Sequence, residues 1–121
     1  KFYREYSPFS LSSLVLAPVT ILRNIGEVLY DERLFLKEDY DISISILKKY
    51  RKVLRNNKYY YESKHIKNKG GLMGKRNISR EKEQLEMLQK RWGSKIVEIE
   101  RKTQGGNFTV NPIIRVPIMG I

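Results

Sequence analysis

The stretch Asp41–Tyr61, DISISILKKYRKVLRNNKYYY, decides how this chain folds. Its first six residues alternate polar and apolar, the pattern of a half-buried strand. Beyond Leu47 the alternation stops, while Ile42, Ile46, Tyr50, Val53 and Leu54 recur at steps of four, four, three and one. That stripe follows one side of an α-helix. Because it continues past Leu47, the stretch predicts a helix from Ile42 to about Tyr61, with Asp41 as its cap. At about 100° per residue, Lys48, Arg51, Lys52 and Arg55 then fall on the opposite side, so one face buries and the other presents cations.

Downstream, Ser79 is a good N-cap and Glu81 and Glu83 suit the positive end of a helix dipole. Leu85, Leu88, Trp92, Ile96 and Ile99 form a narrow seam at steps of three, four, four and three, which predicts a second helix from Arg80 to about Gln104. The acid-first pairs Glu86–Lys90 and Glu98–Lys102 support it by about 0.2–0.5 kcal/mol each. Gly93 interrupts the seam and Gly105–Gly106 ends it. The two stripes are expected to pair as an antiparallel hairpin over 42–61 and 80–104, anchored by Trp92. Upstream, Pro18 followed by Ile21, Leu22, Ile25, Val28 and Leu29 suggests a third helix, to which Gly26 costs about 1 kcal/mol. The acids Asp31, Glu32, Glu38, Asp39 and Asp41 read as caps and dipole partners rather than as an acid–base pair.

The ends have another character. Lys1–Ser13 gathers Phe2, Tyr3, Tyr6 and Phe9 around a proline with no sustained period, and Asn107–Ile121 carries one charge, Arg115, and two prolines. Proline excludes a helix there and leaves an extended or edge-strand path. Each end reads either as a strap on the chain's own core or as an arm on a partner, with strand addition the sharper form for the tail. The expected fold class is mainly α: an extended arm over 1–17, a basic helical domain over 18–104 with a glycine-rich loop at 66–78, and an extended tail over 105–121. Residues expected to meet neighbouring proteins are Phe2, Tyr3, Phe9, Trp92, Phe108, Ile113, Ile114 and Ile118.

Charge gives the strongest functional signal. Of 24 Lys and Arg in the 121 residues, twelve lie between Lys48 and Arg80 with the single acid Glu62 among them. That segment's surplus of +11 equals the net charge of the whole chain, so the remainder is electrically even. A block this one-sided repels itself and suits a polyanion. Tyr59, Tyr60 and Tyr61 stand among the cations, and Gly70, Gly71 and Gly74 follow. Cations neutralise phosphate, rings stack on unpaired bases, and glycine admits a close sugar–phosphate backbone. The candidate RNA contacts are Lys48, Lys49, Arg51, Lys52, Arg55, Lys58, Tyr59, Tyr60, Lys64, His65, Lys67, Lys69, Lys75, Arg76 and Arg80. A merely solvated loop and a lipid-binding basic patch are the competing readings.

Several classes are disfavoured. The absence of cysteine removes disulfides and thiolate metal sites. The longest run without charge, amide or serine, Leu14–Leu22, holds nine residues with Pro18 inside, against the roughly 20 of a helical membrane span. Residues 70–75 lack P-loop spacing, with Arg76 where Ser or Thr would ligate magnesium. His65 is the only histidine, and no nucleophile elbow or two-His metal helix accompanies it. No enzyme, cofactor or small-molecule substrate is therefore expected. The expected function is that of a structural RNA-binding subunit of a large ribonucleoprotein, foremost a ribosomal protein of a mitochondrion or other organelle, and otherwise a cytoplasmic one. The start at Lys1 is compatible with a removed targeting segment or a polyprotein cut. The rival classes are an accessory subunit of a mitochondrial membrane complex and, more remotely, a virion nucleic-acid-packaging protein.

Overall fold

The computed structural model describes residues 8–11, 14, 20–22, 26, 28–59, 77–99 and 111–115. Among them the elements run β1 (Phe9–Ser10), a 3-10 turn (Glu32–Leu34), α1 (Glu38–Tyr50), β2 (Arg55–Asn56), α2 (Ile78–Trp92), β3 (Val97–Ile99) and β4 (Pro112–Ile114). β1 pairs antiparallel with β2, and β3 antiparallel with β4. The expectation of a mainly α hairpin is thereby corrected. Both helices are shorter than their stripes, and two small sheets take over where they stop.

The DISISIL segment is helical, and its alternation has a three-dimensional meaning. On a helix, a step of two residues turns the side chain by about 200°. Ile42 and Ile46 therefore share one side and Ile44 lies on the other. Ile42 and Ile46 pack with Val28 and Val53. Ile44 joins Leu34, Leu85, Leu88 and Val97 in a second cluster, which Tyr40, Met87, Trp92, Ile96, Ile99 and Ile114 surround. Helix α1 is thus sandwiched between two apolar clusters, which is why even Ser43 between them is buried. Its hydroxyl donates to the Asp39 carbonyl one turn back at 2.5 Å.

Helix α1 ends at Tyr50 instead of Tyr61. Arg51 adopts a left-handed backbone, φ 63°, while its N–H donates to the Leu47 carbonyl. The chain then runs extended: Val53 N–H donates to the Leu11 carbonyl and Asn57 N–H to the Pro8 carbonyl, each at 2.8 Å. These bonds flank the register Phe9↔Asn56 and Ser10↔Arg55. Val53 still reaches the core, but along a strand, and Leu54, the last member of the expected stripe, is exposed.

Asn77, rather than Ser79, caps α2, its side chain accepting from Arg80 N–H at 2.8 Å. The helix stops at Gly93, φ 87°, well short of Gln104. Ile96, Val97 and Ile99 contact the same cluster from a turn and a strand. Strand β4 pairs Ile114 with Val97, Ile113 with Glu98 and Pro112 with Ile99, so this part of the tail adds a strand to the chain's own sheet. Of the third expected helix, residues 20–22 and 28–30 are not helical. Ile21 is 93% exposed and Leu29 73%, leaving Val28 as the buried residue among those described there, while Ile25 lies outside them.

Polar groups lock the second helix to the 3-10 turn. Buried Gln84 donates to the Arg33 carbonyl at 2.8 Å and accepts from Leu36 N–H. Lys37, 3% exposed, pairs with Glu81 at 2.6 Å. Gln89 donates to the Val97 carbonyl at 2.8 Å, fastening α2 to β3.

Candidate nucleic-acid interface

Charged groups divide into two populations. Outside the basic segment eight of the described charges are paired with one another. Asp31 accepts from Arg33 Nε at 2.9 Å, from its Nη2 at 2.7 Å and from its backbone N–H, and Arg91 reaches the same carboxylate. The Arg33 hydrogen bonds hold the Asp31 carboxyl well below the usual carboxylate range. Arg91 also meets buried Asp41, Lys37 meets Glu81, and Arg115 meets Glu98.

The cations following α1 are different. Lys48 and Lys49 occupy its last turn, Arg51 and Lys52 the turn-out, Arg55 strand β2, and Lys58 the residue pair beyond Asn56; all are exposed. Among the described residues no carboxylate forms an ion pair with Lys48, Arg51, Lys52, Arg55 or Lys58. Their partners are rings or solvent: the Lys48 ammonium lies 5.6 Å from the Trp92 ring centroid and Lys58 lies 5.2 Å from that of Phe9. Lys49 stands 5.6 Å from Tyr50. Tyr59 is 79% exposed.

The basic face expected on one long helix is therefore corrected in shape. Lys48 is on the helix, whereas Lys52 and Arg55 lie on extended chain, so these cations follow a helix end and then a β ribbon. Arg80 is separate from them in sequence, on the first turn of α2, and exposed. Tyr60, Lys64, His65, Lys67, Lys69, Lys75 and Arg76, with the glycine-rich loop, lie outside the described residues.

Of the residues assigned to neighbouring proteins, Trp92 and Ile114 pack on the chain's own core. Ile113 is exposed on β4, and Phe9 belongs to the basic ribbon. Phe2, Tyr3, Phe108 and Ile118 lie outside the described residues. The sequence reading missed Phe9 and Leu54 as companions of the cations. The Phe9–Asn56 pairing joins residues far apart in the chain, and no local period announces it.

Two other features belong to the surroundings. A shallow cleft of about 430 Å³ is lined by Val28–Arg33, Ser45 and Arg91, with its Asp31, Arg33 and Arg91 charges already paired. Among the described residues no helix is long and apolar enough to cross a membrane, and no group of three or more His, Cys, Asp or Glu is placed to hold a metal ion.

These observations define a small basic α+β unit whose run Lys48–Lys58, on a helix end and a two-stranded ribbon, contains exposed cations and no acid. Comparison with protein-family models, characterised proteins and solved structures finds no match for the chain.

Proposed function

We propose that the chain is a structural RNA-binding subunit of a large ribonucleoprotein, with an organellar ribosome the leading assembly. The observation that carries this reading is the run Lys48–Lys58. It holds six exposed cations and no acid, beside a body in which Asp31, Asp41, Glu81 and Glu98 are each paired with a cation of the same fold. Lys and Arg so arranged neutralise phosphates and position a protein without reading sequence. Exposed Tyr59 adds a ring for an unpaired base. RNA of irregular tertiary structure fits an irregular surface of this kind better than a long duplex groove does.

The test is a binding titration of the full chain with a structured RNA. Replacing Lys48, Lys52 and Arg55 together by Ala is expected to weaken association at least tenfold, with helical content by circular dichroism nearly unchanged. Equal RNA retention by variant and parent across a salt titration would overturn the assignment of this surface. In the parent particle, release by nuclease supports the RNA reading, and release by detergent alone favours the membrane-complex alternative.

A further inference from the structure

We infer that the β1–β2 ribbon is a docking face for an unpaired RNA strand, with the Phe9 ring as its stacking surface. This deepens the reading above and rests on it.

In an antiparallel pair, directly opposed residues share a face, and so do their neighbours two positions away. The register Phe9↔Asn56 therefore places Phe9 and Leu11 with Leu54, Asn56 and Lys58 on one side of the ribbon. The other side carries Val53, which packs on Ile42 and Ile46, and the exposed Arg55. The outer side, with Phe9, is open: Leu54 is 66% and Phe9 43% exposed, and Asn56 and Lys58 are exposed as well.

An apolar outer face on a ribbon this small is unusual in water and calls for an occupant. Electrostatics select it. Acids are absent from the whole interval between Asp41 and Glu62, so an acidic protein or phosphate chain is attracted and a basic partner repelled. The mixture of ring, branched apolar chain, amide and cation then favours nucleic acid. Lys58 already sits over the Phe9 ring, so ring and cation meet a ligand together as stacking surface and phosphate partner. Paired bases hide their faces inside a helix, whereas an unpaired strand offers them. Phe9 comes from the N-terminal part of the chain and the cations from the middle, so the surface exists only once the ribbon has formed.

The experiment compares a fluorescent single-stranded oligo(A) RNA with an RNA duplex of equal length, measuring anisotropy with the full-length parent, Phe9→Ala and Phe9→Leu. Thermal melts check that the variants fold. The expected result is that the parent prefers the single strand, and that both variants lose about tenfold in affinity for it while duplex binding stays within twofold. Leu keeps apolar cover but not the π-face, so a Phe9→Leu protein that binds like the parent overturns the stacking role. Equal losses on both RNAs overturn the unpaired-strand assignment while leaving RNA binding intact. A parent that binds neither RNA but binds anionic phosphatidylserine vesicles through Phe9 overturns the RNA reading itself.

Discussion

Asp41 is buried between the two helices, and its two oxygens have different surroundings. Oδ1 accepts from the Trp92 indole N–H at 2.7 Å and lies 3.1 Å from Arg91 Nε, whereas Oδ2 is buried with no hydrogen-bond partner among the described residues. Burial raises its pKa above the ordinary 3.8, against the lowering effects of Trp92 and Arg91. A raised folded-state pKa means that the folded protein binds the proton more tightly than the unfolded chain. Ionised Asp41 therefore costs stability at neutral pH, and that cost is relieved as pH falls through the raised value toward 3.8. Asp31 has the opposite sign, since its stabilisation is present above the unfolded value and lost in acid. Asp41→Asn keeps an acceptor for Trp92 and removes the charge. Its melting temperature is expected to exceed the parent's at pH 7 and to converge on it by pH 4; a gap that is constant or grows toward acid would refute this account. The sequence read Asp41 as the cap of a helix starting at Ile42, whereas the helix begins at Glu38 with Lys37 at its N-cap, so Asp41 lies within its first turn. Its burial against Trp92, from a helix far along the chain, was not legible either.

At the scale of elements, the positions of the two long helices were legible but their ends were not, and the helix expected from Pro18 is not helical over residues 20–22 and 28–30. Of the stripe Ile42, Ile46, Tyr50, Val53 and Leu54, the members Ile42, Ile46 and Val53 pack together, whereas Tyr50 and Leu54 are exposed. The stripe did not reveal that Arg51 leaves the helix in a left-handed conformation so that the following chain pairs with β1. Likewise Gly93 was visible as an interruption, but only the pairing with Pro112–Ile114 turned what followed into a strand. Left-handed backbone costs a residue with a Cβ roughly 1–2 kcal/mol and costs glycine little. Arg51→Gly is accordingly expected to stabilise the fold by about 1 kcal/mol in urea denaturation, part of the relief being offset by greater freedom of the unfolded chain. The same substitution removes one surface cation, so RNA affinity should fall slightly while stability rises. A destabilised Arg51→Gly protein would show that the turn depends on the arginine side chain.

For the molecule as a whole, charge is compensated in one part of the fold and left over in another. Asp31, Asp41, Glu81 and Glu98 are matched by Arg33, Arg91, Lys37 and Arg115 within the fold, which leaves the Lys48–Lys58 surface as a source of positive potential. On single-stranded RNA each neutralised phosphate contributes about −0.7 to the slope of log K against log salt concentration. Six cations in contact predict a slope near −4, and the Lys48, Lys52 and Arg55 triple Ala variant one shallower by about 2. A parent slope near zero would mean that these cations do not face phosphate. The sequence by itself determined the segregation of charge, because formal charges are set by composition and order, and it picked out core residues such as Ile42, Ile46, Leu85 and Leu88 where a helix does form, whereas Ile21, Leu29 and Leu54 share helical periods and are exposed because no helix continues through them. Only the tertiary structure decided where each helix yields to a strand, since unpaired backbone groups beyond Tyr50 and Gly93 are satisfied by strands from distant parts of the chain, and a local period carries no information about a distant partner.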